Sequence, residues 1–207
     1  MIPHKTPAIL QALMPTRLWR VDTEKKKIFL TFDDGPVPDL TEWVLDTLKE
    51  KQAKGTFFCV GENVKKFPQI FARILSEGQS IGNHSQTHLN GWNSSTSSYM
   101  ENVKACQYEI NEHGVKTKLF RPPYGRLKWQ QQKKLSNYQV VMWDVLSKDY
   151  LQSLDSDIIL EESIKATAKG SIIVFHDNLK AERNLKYVLP RYIDHFQSLG
   201  FQFDPLV

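Results

Sequence analysis

Short apolar runs recur along the chain, and a polar loop and an amphipathic stretch follow most of them. Each run is three to five residues long, and several are rich in β-branched residues, as is typical of strands buried on both faces. The runs are Ile28–Phe32, Thr56–Val60, Ser80–Gly82, Lys118–Phe120, Gln139–Trp143, Ser171–Phe175 and Phe201–Phe203. This pattern predicts seven short strands.

The stretches between the runs carry apolar residues at helical spacing, which predicts about six helices. The clearest is Asn184–Leu199, and Gly200 follows it where a C-terminal cap belongs. The others are Leu40–Glu50, Glu62–Glu77, Thr96–His113, Leu127–Leu135 and Ile158–Lys169. Strands that alternate with helices predict an α/β protein with a parallel sheet, arranged as a barrel or as a doubly wound open sheet.

Composition narrows the class of protein without selecting a function. The chain has 207 residues, of which 41% are hydrophobic and 24% charged, and this favours one folded domain over a disordered or coiled-coil chain. No apolar run approaches the roughly 20 residues that span a bilayer, so we expect no membrane insertion. The net charge of +4 is too small to indicate nucleic acid binding, and we expect a monomer. Cys59 and Cys106 lie in apolar patterns and are predicted to be buried, unpaired thiols.

The first residues do not resemble a secretory signal. Met1–Arg20 contains three prolines and no apolar run of the required length, which is about 7–15 residues. As written, the chain is expected to be cytoplasmic unless a leader has been lost. We divide it into an N-terminal extension, residues 1–26, and a single folded domain, residues 27–207.

Five of the predicted strands end in ionisable residues. They are Asp33 and Asp34 after the first run, His84 and His88 after the third, Arg121 after the fourth, Asp144 and Asp149 after the fifth, and His176 and Asp177 after the sixth. One Asp at a strand end is commonly a turn or a helix cap. Because the carboxyl ends of parallel strands converge in an α/β barrel, five such strands together predict one polar site at the mouth.

Two imidazoles and one carboxylate form a common zinc site that leaves positions open for water and substrate. His84 and His88 can face the same way if their segment is helical, and either Asp33 or Asp34 can supply the carboxylate. Other divalent metals also accept such ligands. A bound metal lowers the pKa of water toward about 7.

The remaining polar residues suit proton transfer. The second Asp of the pair can act as a general base, and His176 can donate a proton to a leaving group. Arg121 can orient the base and keep it ionised, and Asp149 can orient His176 and raise its pKa. A metal-bound water, a base and a separate acid together indicate hydrolysis of an unactivated amide or ester.

Five motifs, in family order, resemble those of the polysaccharide deacetylases, the NodB-homology group of carbohydrate esterase family 4. The motifs are Thr31–Pro36, His84–His88, Arg121–Gly125, Trp143–Tyr150 and Ile172–His176. The resemblance covers roughly residues 27–203 and implies a distorted, incomplete (β/α)7 barrel. It also implies a metal-dependent N-deacetylase of N-acetylated sugars or, in some members, an O-deacetylase.

The resemblance implies a role for each matched position. Asp33 is the general base, and Arg121 positions it. His176 is the general acid, Asp149 tunes its pKa, and the metal ligands are Asp34, His84 and His88. The Tyr124 backbone N–H stabilises the oxyanion, and Ile172 lines the pocket for the acetyl methyl group. Zinc is the expected metal.

The fourth motif departs from the family pattern. Leu146 stands where the family often has Asp, and Tyr150 stands where it has Trp. Asp149 is retained, so we interpret the change as an altered pocket shape. Trp92 follows the second motif by four residues and is a candidate for stacking on a sugar ring. Trp143 and Tyr150 are further candidates for the substrate groove.

The leading hypothesis is a hydrolase that removes N-acetyl groups from a peptidoglycan-like or chitin-like glycan. One alternative is an amidase or esterase that acts on a non-sugar or O-acetyl substrate. Another is a catalytically silent relative that only binds carbohydrate. The presence of both the base Asp33 and the acid His176 favours an active enzyme.

Overall fold

Strands and α-helices alternate along residues 3–207, the part of the chain that the computed structural model describes. The first two residues of the predicted N-terminal extension lie outside this range. The strands are β1 Lys27–Asp33, β2 Gly55–Cys59, β3 Ser80–Asn83, β4 Leu119–Phe120, β5 Gln139–Val140, β6 Val145–Leu146, β7 Ile172–His176 and β8 Gln202–Phe203. The helices are α1 Ala8–Leu13, α2 Leu40–Glu50, α3 Gly61–Lys66, α4 Pro68–Ser76, α5 Thr96–Asn111, α6 Trp129–Lys134, α7 Ser156–Ala166 and α8 Glu182–Ser198.

Seven of the strands form one curled parallel sheet in the order β5-β4-β3-β2-β1-β7-β6. A flat sheet of seven strands would be about 29 Å wide. The chain nevertheless passes from β5 at one edge to β6 at the other through residues 141–144, a connection that reaches at most about 17 Å. The sheet must therefore curl until its edges approach each other, which confirms the distorted, incomplete (β/α)7 barrel.

The gap in the barrel explains one difference from the sequence prediction. The run Gln139–Trp143 is not one strand, because only its first two residues pair with β4, and the following residues cross the opening to β6. Residues near the N-terminus close the opening. Leu18 forms a parallel bridge with Val141, and Lys5 forms an antiparallel bridge with Val145.

Two further differences from the sequence prediction concern the helix Glu62–Glu77 and the last strand. The predicted helix Glu62–Glu77 is two helices, α3 and α4, because Pro68 disfavours helical geometry at the residue before it. Phe67 accordingly has φ −126° and ψ 57°. The strand β8 pairs only with the start of β1, beside the barrel, so β1 has three neighbours.

The alternation of side chains along β1 separates the apolar core from the polar site. Its even-numbered residues pack against the helices in the main hydrophobic core. Its odd-numbered residues, Phe29, Thr31 and Asp33, face the barrel interior. Phe29 lies in an apolar cluster with Phe58, Leu119 and Ile172. The interior is therefore apolar near the start of β1 and polar near its end, where Asp33 lies.

The two thiols match the sequence prediction. Cys59 and Cys106 are buried and free, and the Cys106 thiol lies 3.4 Å from the Cys59 carbonyl oxygen. Burial raises the pKa of both thiols, that of Cys106 to about 12. Both are therefore uncharged, small residues of the core at neutral pH.

Asp144 lies away from the mouth and anchors the N-terminal segment. Its fully buried carboxylate accepts hydrogen bonds from Lys5 Nζ at 2.6 Å, Gln11 Nε2 at 3.1 Å and Ser171 Oγ at 2.5 Å. Lys5 Nζ also donates to the carbonyl oxygen of Ala166 at 2.8 Å. These contacts hold residues near the N-terminus against the edge strand β6.

We predict that Lys5→Met lowers the free energy of unfolding by about 1–3 kcal/mol, because the buried Asp144 carboxylate loses its closest cation and keeps only Arg20 Nε at 3.6 Å. Chemical denaturation measures this change. Lys165→Met is the matched control, because Lys165 pairs with Glu162 on the surface and both side chains are exposed. Equal unfolding midpoints for the two variants would contradict an anchoring role for Asp144.

Candidate active site

All the predicted strand-end residues except Asp144 lie at one mouth of the barrel. In the pairing of β1 with β7, Asp33 lies directly beside His176. Arg121 follows β4 and reaches back to Asp33. The structure thus brings together side chains that are up to 143 positions apart in the sequence.

Asp34, His84 and His88 form a cluster that can hold a metal ion. The Asp34 Oδ1 atom lies 3.2 Å from His88 Nε2 and 3.6 Å from His84 Nε2. This oxygen is buried and has no hydrogen-bond partner of acceptable geometry. Since unsatisfied buried carboxylate oxygens are costly, a divalent cation between the three ligand atoms fits the site.

The charge state of Asp34 suits a cation. Burial alone would raise the pKa of its carboxyl group, but interaction with His84 and His88 outweighs burial and holds that pKa well below the usual value. Its other oxygen, Oδ2, accepts a hydrogen bond from Asn178 Nδ2 at 2.5 Å. Asp34 is therefore ionised, and one oxygen is left for a metal.

A hydrogen bond sets the tautomer of His84. Its Nδ1 atom lies 2.8 Å from the carbonyl oxygen of Arg121. A carbonyl oxygen only accepts, so Nδ1 carries the proton and neutral His84 presents the lone pair of Nε2 toward Asp34. This is the arrangement that orients a histidine as a metal ligand.

The segment that carries the two histidines is a loop, not the helix considered in the sequence analysis. Ser85 and His88 have φ of 65° and 54°, in the left-handed region. Hydrogen bonds from the backbone N–H groups of Gln86 and Thr87 to Asn102 Oδ1 hold this loop against α5. The loop therefore orients both imidazoles toward Asp34 without a helical turn.

Arg121 fixes the orientation of Asp33. Its fully buried guanidinium donates from Nη1 to Asp33 Oδ1 at 2.7 Å and to Thr31 Oγ1 at 2.7 Å, and from Nη2 to the carbonyl oxygen of Met142 at 2.8 Å. Burial lowers the pKa of Arg121, and the Asp33 charge opposes this effect. The other oxygen of Asp33, Oδ2, lies 3.9 Å from His84 Nε2 and so faces the metal-ligand cluster.

Asp149 fixes the orientation of His176. The carboxylate accepts from His176 Nδ1 at 2.7 Å through Oδ1 and from the His176 backbone N–H at 2.8 Å through Oδ2. Burial would lower the pKa of His176, but the charge and hydrogen bond of Asp149 raise it to about 9. His176 is therefore protonated at neutral pH, and its Nε2–H is free to act as an acid.

The aromatic groove candidates lie on different sides of this centre. The Tyr124 ring is 4.5 Å from the His88 ring, and the Tyr150 ring is 5.0 Å from the His176 ring. Trp143 is half-buried, 6.0 Å from the Arg121 guanidinium. Trp92 is 58% exposed and lies beside Arg126.

The backbone N–H of Tyr124, the predicted oxyanion contact, has no partner in the described part of the chain. Tyr124 has φ 60°. It belongs to the loop that follows Arg121, beside His88. This N–H is therefore available to a ligand at the mouth.

The structure does not place Ile172 at the mouth, so its predicted role as the wall of the acetyl pocket is wrong. Ile172 lies at the start of β7, in register with Phe29, inside the apolar cluster at the far end of the barrel. Because side chains alternate along a strand, Val174 faces the same side of β7 as Ile172 and lies two residues closer to His176. Val174 lies in register with Leu146, the residue that replaces the usual acid of the fourth motif.

Two supporting residues were not assigned a role from the sequence. Asn178 donates to Asp34 Oδ2, and Asp177 accepts from the Gly35 backbone N–H at 3.1 Å and from Thr41 Oγ1 at 2.5 Å. A side chain at Gly35 would collide with Asp177, since a Cβ atom there would lie 2.0 Å from its Oδ2. Burial raises the pKa of Asp177 to about 8. The position of both residues directly after His176 is the only signal that could have marked them.

We predict that Asn178→Ala weakens binding of a divalent metal at this cluster, with zinc as the probe, by about 10–100-fold, because Asp34 loses the hydrogen bond that orients it. Competition with a chromogenic chelator measures the dissociation constant. Asn137→Ala, at an exposed position away from the site, serves as the control and should bind zinc like the unchanged protein. Equal affinity of both variants would show that Asn178 does not position the ligand.

The chain is similar to several known proteins. A family model described as polysaccharide deacetylase matches residues 20–143. A peptidoglycan-N-acetylglucosamine deacetylase of Bacillus cereus is 36% identical over 158 residues, which are 73% of this chain and 56% of that protein. A peptidoglycan-N-acetylmuramic acid deacetylase of Bacillus subtilis is 33% identical over 76% of this chain and 33% of that protein. The chain thus spans about half or less of the length of these relatives.

A solved structure shows the same likeness over nearly the whole chain. The crystal structure of the peptidoglycan N-acetylglucosamine deacetylase Bc1960 superposes with a TM-score of 0.89 and 30% sequence identity. The match covers 97% of this chain and 95% of that one. None of the helices in the described part of this chain has the length and apolar character that crossing a membrane requires.

Proposed function

The chain belongs to the polysaccharide deacetylase family, and from this we propose that it is a zinc-dependent hydrolase that removes N-acetyl groups from peptidoglycan-type glycans. The observation that carries the proposal is the joint presence of three units at one mouth. They are the cluster of Asp34, His84 and His88, the Asp33–Arg121 pair and the Asp149–His176 pair.

The donor set supports zinc among the divalent metals. Two imidazole nitrogens and one carboxylate oxygen are typical of catalytic zinc sites with open positions. The names of the similar proteins support a peptidoglycan glycan, with N-acetylglucosamine or N-acetylmuramic acid as the sugar acted on. A bound divalent metal at this site would polarise an acetyl carbonyl and lower the pKa of a water molecule.

Asp33 acts as the general base in this proposal. Its Oδ1 is held by Arg121 at 2.7 Å, which leaves Oδ2 to take a proton from water. The guanidinium holds the carboxylate in one orientation. The buried position, with 4% exposure, excludes competing solvent.

His176 acts as the general acid. Asp149 fixes Nδ1–H, so the Nε2–H of the imidazolium donates to the sugar nitrogen as the C–N bond breaks. With a pKa of about 9, the imidazolium is the main form at neutral pH. The Tyr124 N–H, which has no partner among residues 3–207, donates to the oxygen that gains negative charge.

Acetate release from a glycan tests the proposal. Protein treated with a chelator is incubated with peptidoglycan glycan strands or with an N-acetylglucosamine tetramer, with and without added zinc. We expect release of acetate only after zinc is restored. His88→Ala should lose both zinc binding and release, whereas His195→Ala, near the end of α8, should keep both.

The outcomes separate the alternatives. Zinc binding without acetate release from any glycan, but with release from acetylated esters or small amides, would assign the site to the non-sugar or O-acetyl class. Binding of zinc and glycan without turnover would identify a silent carbohydrate-binding protein. Failure to bind any divalent metal would overturn the proposal.

A further inference from the structure

Two exposed aromatic rings and an arginine form a platform beside the metal-ligand cluster. The platform consists of Trp92, Tyr124 and Arg126. The Arg126 guanidinium lies 5.1 Å from the centre of the Trp92 ring and 5.9 Å from that of Tyr124. Trp92 and Tyr124 are 58% and 60% exposed. Large aromatic side chains with so much free surface, next to a catalytic mouth, indicate a binding surface.

The platform adjoins the reacting centre. The Tyr124 ring lies 4.5 Å from the ring of the metal-ligand candidate His88, in an edge-on arrangement. Arg126 and His88 therefore both lie next to the Tyr124 ring. A group bound at Arg126 would belong to the same sugar as the acetyl group, or to its neighbour in the glycan.

The platform is held in place before any ligand binds. Gly91 packs so closely against the segment of Arg126 that a Cβ atom at Gly91 would lie 2.3 Å from the Arg126 carbonyl oxygen. Gln131 Nε2 donates to the carbonyl oxygen of Gly91 at 2.9 Å, and Lys128 Nζ donates to that of Ser94 at 2.7 Å. The loop that carries Trp92 is thus fixed to the loop that carries Arg126.

The Arg126 guanidinium has no acceptor of its own. Within residues 3–207 its side chain forms no hydrogen bond and no ion pair, although it has five N–H donors. The arginines that stabilise this fold differ in this respect: Arg121 and Arg73, for example, are both paired with carboxylates. Arg126 therefore presents an open, planar cation at the mouth.

The surrounding sequence adds positive charge and no negative charge. Residues 122–143, which follow β4 and the buried Arg121, contain four Lys and Arg and no Asp or Glu. Residues 78–100, which include the loop of Trp92, contain no Asp, Glu, Lys or Arg. A neutral glycan would gain nothing from this field, whereas an anionic glycan would be attracted to it.

From these contacts we propose that Arg126 binds a carboxylate on the glycan, so that the enzyme prefers an anionic glycan over a neutral one. This inference rests on the proposed function and names the substrate class of the same site. The guanidinium fork matches a carboxylate with two parallel hydrogen bonds, while the flanking rings of Trp92 and Tyr124 pack against sugar faces. Arg126 is a specificity residue and takes no part in proton transfer.

The carboxylate has two sources in a peptidoglycan glycan. One is the lactyl ether group of a muramic sugar, and the other is a carboxylate of a peptide attached to that group. Three soluble substrates of equal length distinguish them: a neutral N-acetylglucosamine tetramer, an alternating tetramer with free lactyl groups, and the same alternating tetramer carrying its peptides. A fourth, with methylated lactyl groups, removes the charge at nearly constant shape.

For the unchanged protein we expect a lower KM on the tetramer with free lactyl groups than on its methyl ester or on the neutral tetramer. Arg126→Met should raise the KM for the free-lactyl tetramer by about tenfold or more, and kcat should change little. On the neutral tetramer the same variant should change KM less than about threefold. If only the peptide-bearing tetramer shows the effect, a peptide carboxylate is the group that Arg126 binds.

Matched variants separate charge from packing. Lys133 lies over the exposed Trp129 ring at 5.2 Å, so Lys133→Met removes a comparable surface cation from an aromatic ring outside the platform and should leave every KM unchanged. Arg126→Lys should restore only part of the preference, because an ammonium group lacks the planar fork. An equal loss on neutral and anionic substrates in Arg126→Met would overturn the proposal and leave Arg126 as packing for Trp92.

Binding of the glycan can be measured directly even if the protein releases no acetate. Calorimetry of Asp33→Asn with the same four tetramers measures affinity without hydrolysis. Tighter binding of the free-lactyl tetramer that is lost in Asp33→Asn/Arg126→Met would support the carboxylate site, even if no acetate is released. Equal affinities for the neutral, the free-lactyl, the methylated and the peptide-bearing tetramer would refute it, whatever the activity of the enzyme.

Discussion

Replacing Asp33 by Asn is expected to lower kcat for glycan deacetylation by about 10³-fold, within the usual range for loss of a general base. An amide at this position has nearly the same shape but cannot take a proton from water. Arg121 then loses its charged partner at Oδ1, while Thr31 and the carbonyl oxygen of Met142 remain as acceptors. The variant should therefore lose turnover, and it should also be less stable, because the buried Arg121 guanidinium is left without its anionic partner.

Acetate release gives kcat, zinc titration gives metal affinity, and circular dichroism reports the fold. Asp22→Asn, at an exposed position, is the control and should match the unchanged protein in all three measurements. Asp34→Asn provides the contrast, because Asp34 belongs to the metal-ligand cluster and its loss should weaken zinc binding. If Asp33→Asn retains most of its turnover, Asp33 is not the base.

Replacing Asp149 by Asn is expected to lower kcat and to move the alkaline limb of its pH profile to lower pH. In the unchanged protein, burial lowers the pKa of His176, but Asp149 raises it to about 9, with smaller contributions from the charges of Asp34 and Asp33. An acid must be protonated to act, so activity falls as pH rises through that value. Without the Asp149 charge, His176 loses its proton at lower pH.

The pH dependence of kcat, measured at saturating zinc for both proteins, checks the direction of this shift. Asp155→Asn, at the start of α7, keeps the His176–Asp149 pair and should leave the limb in place. The same pair affects stability. Because the folded pKa of His176 lies above its ordinary value of about 6.5, its contribution is complete below that pH and is lost as pH rises toward 9. An unchanged alkaline limb in Asp149→Asn would remove His176 from the role of acid.

Most of the candidate site could be predicted because its residues follow strand ends. Asp33 and His176 each come directly at the end of an apolar run, and parallel strands bring such ends together. The motif resemblance then assigned different roles to Asp33 and Asp34, which spacing alone had left open. Their contacts with Arg121 and with the two histidines agree with that division.

The misplaced residues have a common cause. Ile172 and Val174 face the same side of β7, and local sequence does not say which of them lies at the mouth. Asp144 and Asp149 follow the same apolar run, yet Asp144 binds Lys5 at the barrel opening and Asp149 binds His176. In each case, whether the residue reaches the mouth depends on its height along the barrel axis. Pairing with strands distant in the sequence sets that height.

By itself, the sequence determined the order of strands and helices, the period-two alternation that directs Asp33 inward, and the set of groups available for metal binding and proton transfer. These features depend on neighbours within a few residues. Only the tertiary structure decided that residues 141–144 bridge a gap, that Asn178 supports Asp34, and that Arg126 lies beside both Trp92 and Tyr124. Those contacts join segments distant in sequence, and their positions are set when the sheet curls and its edges close.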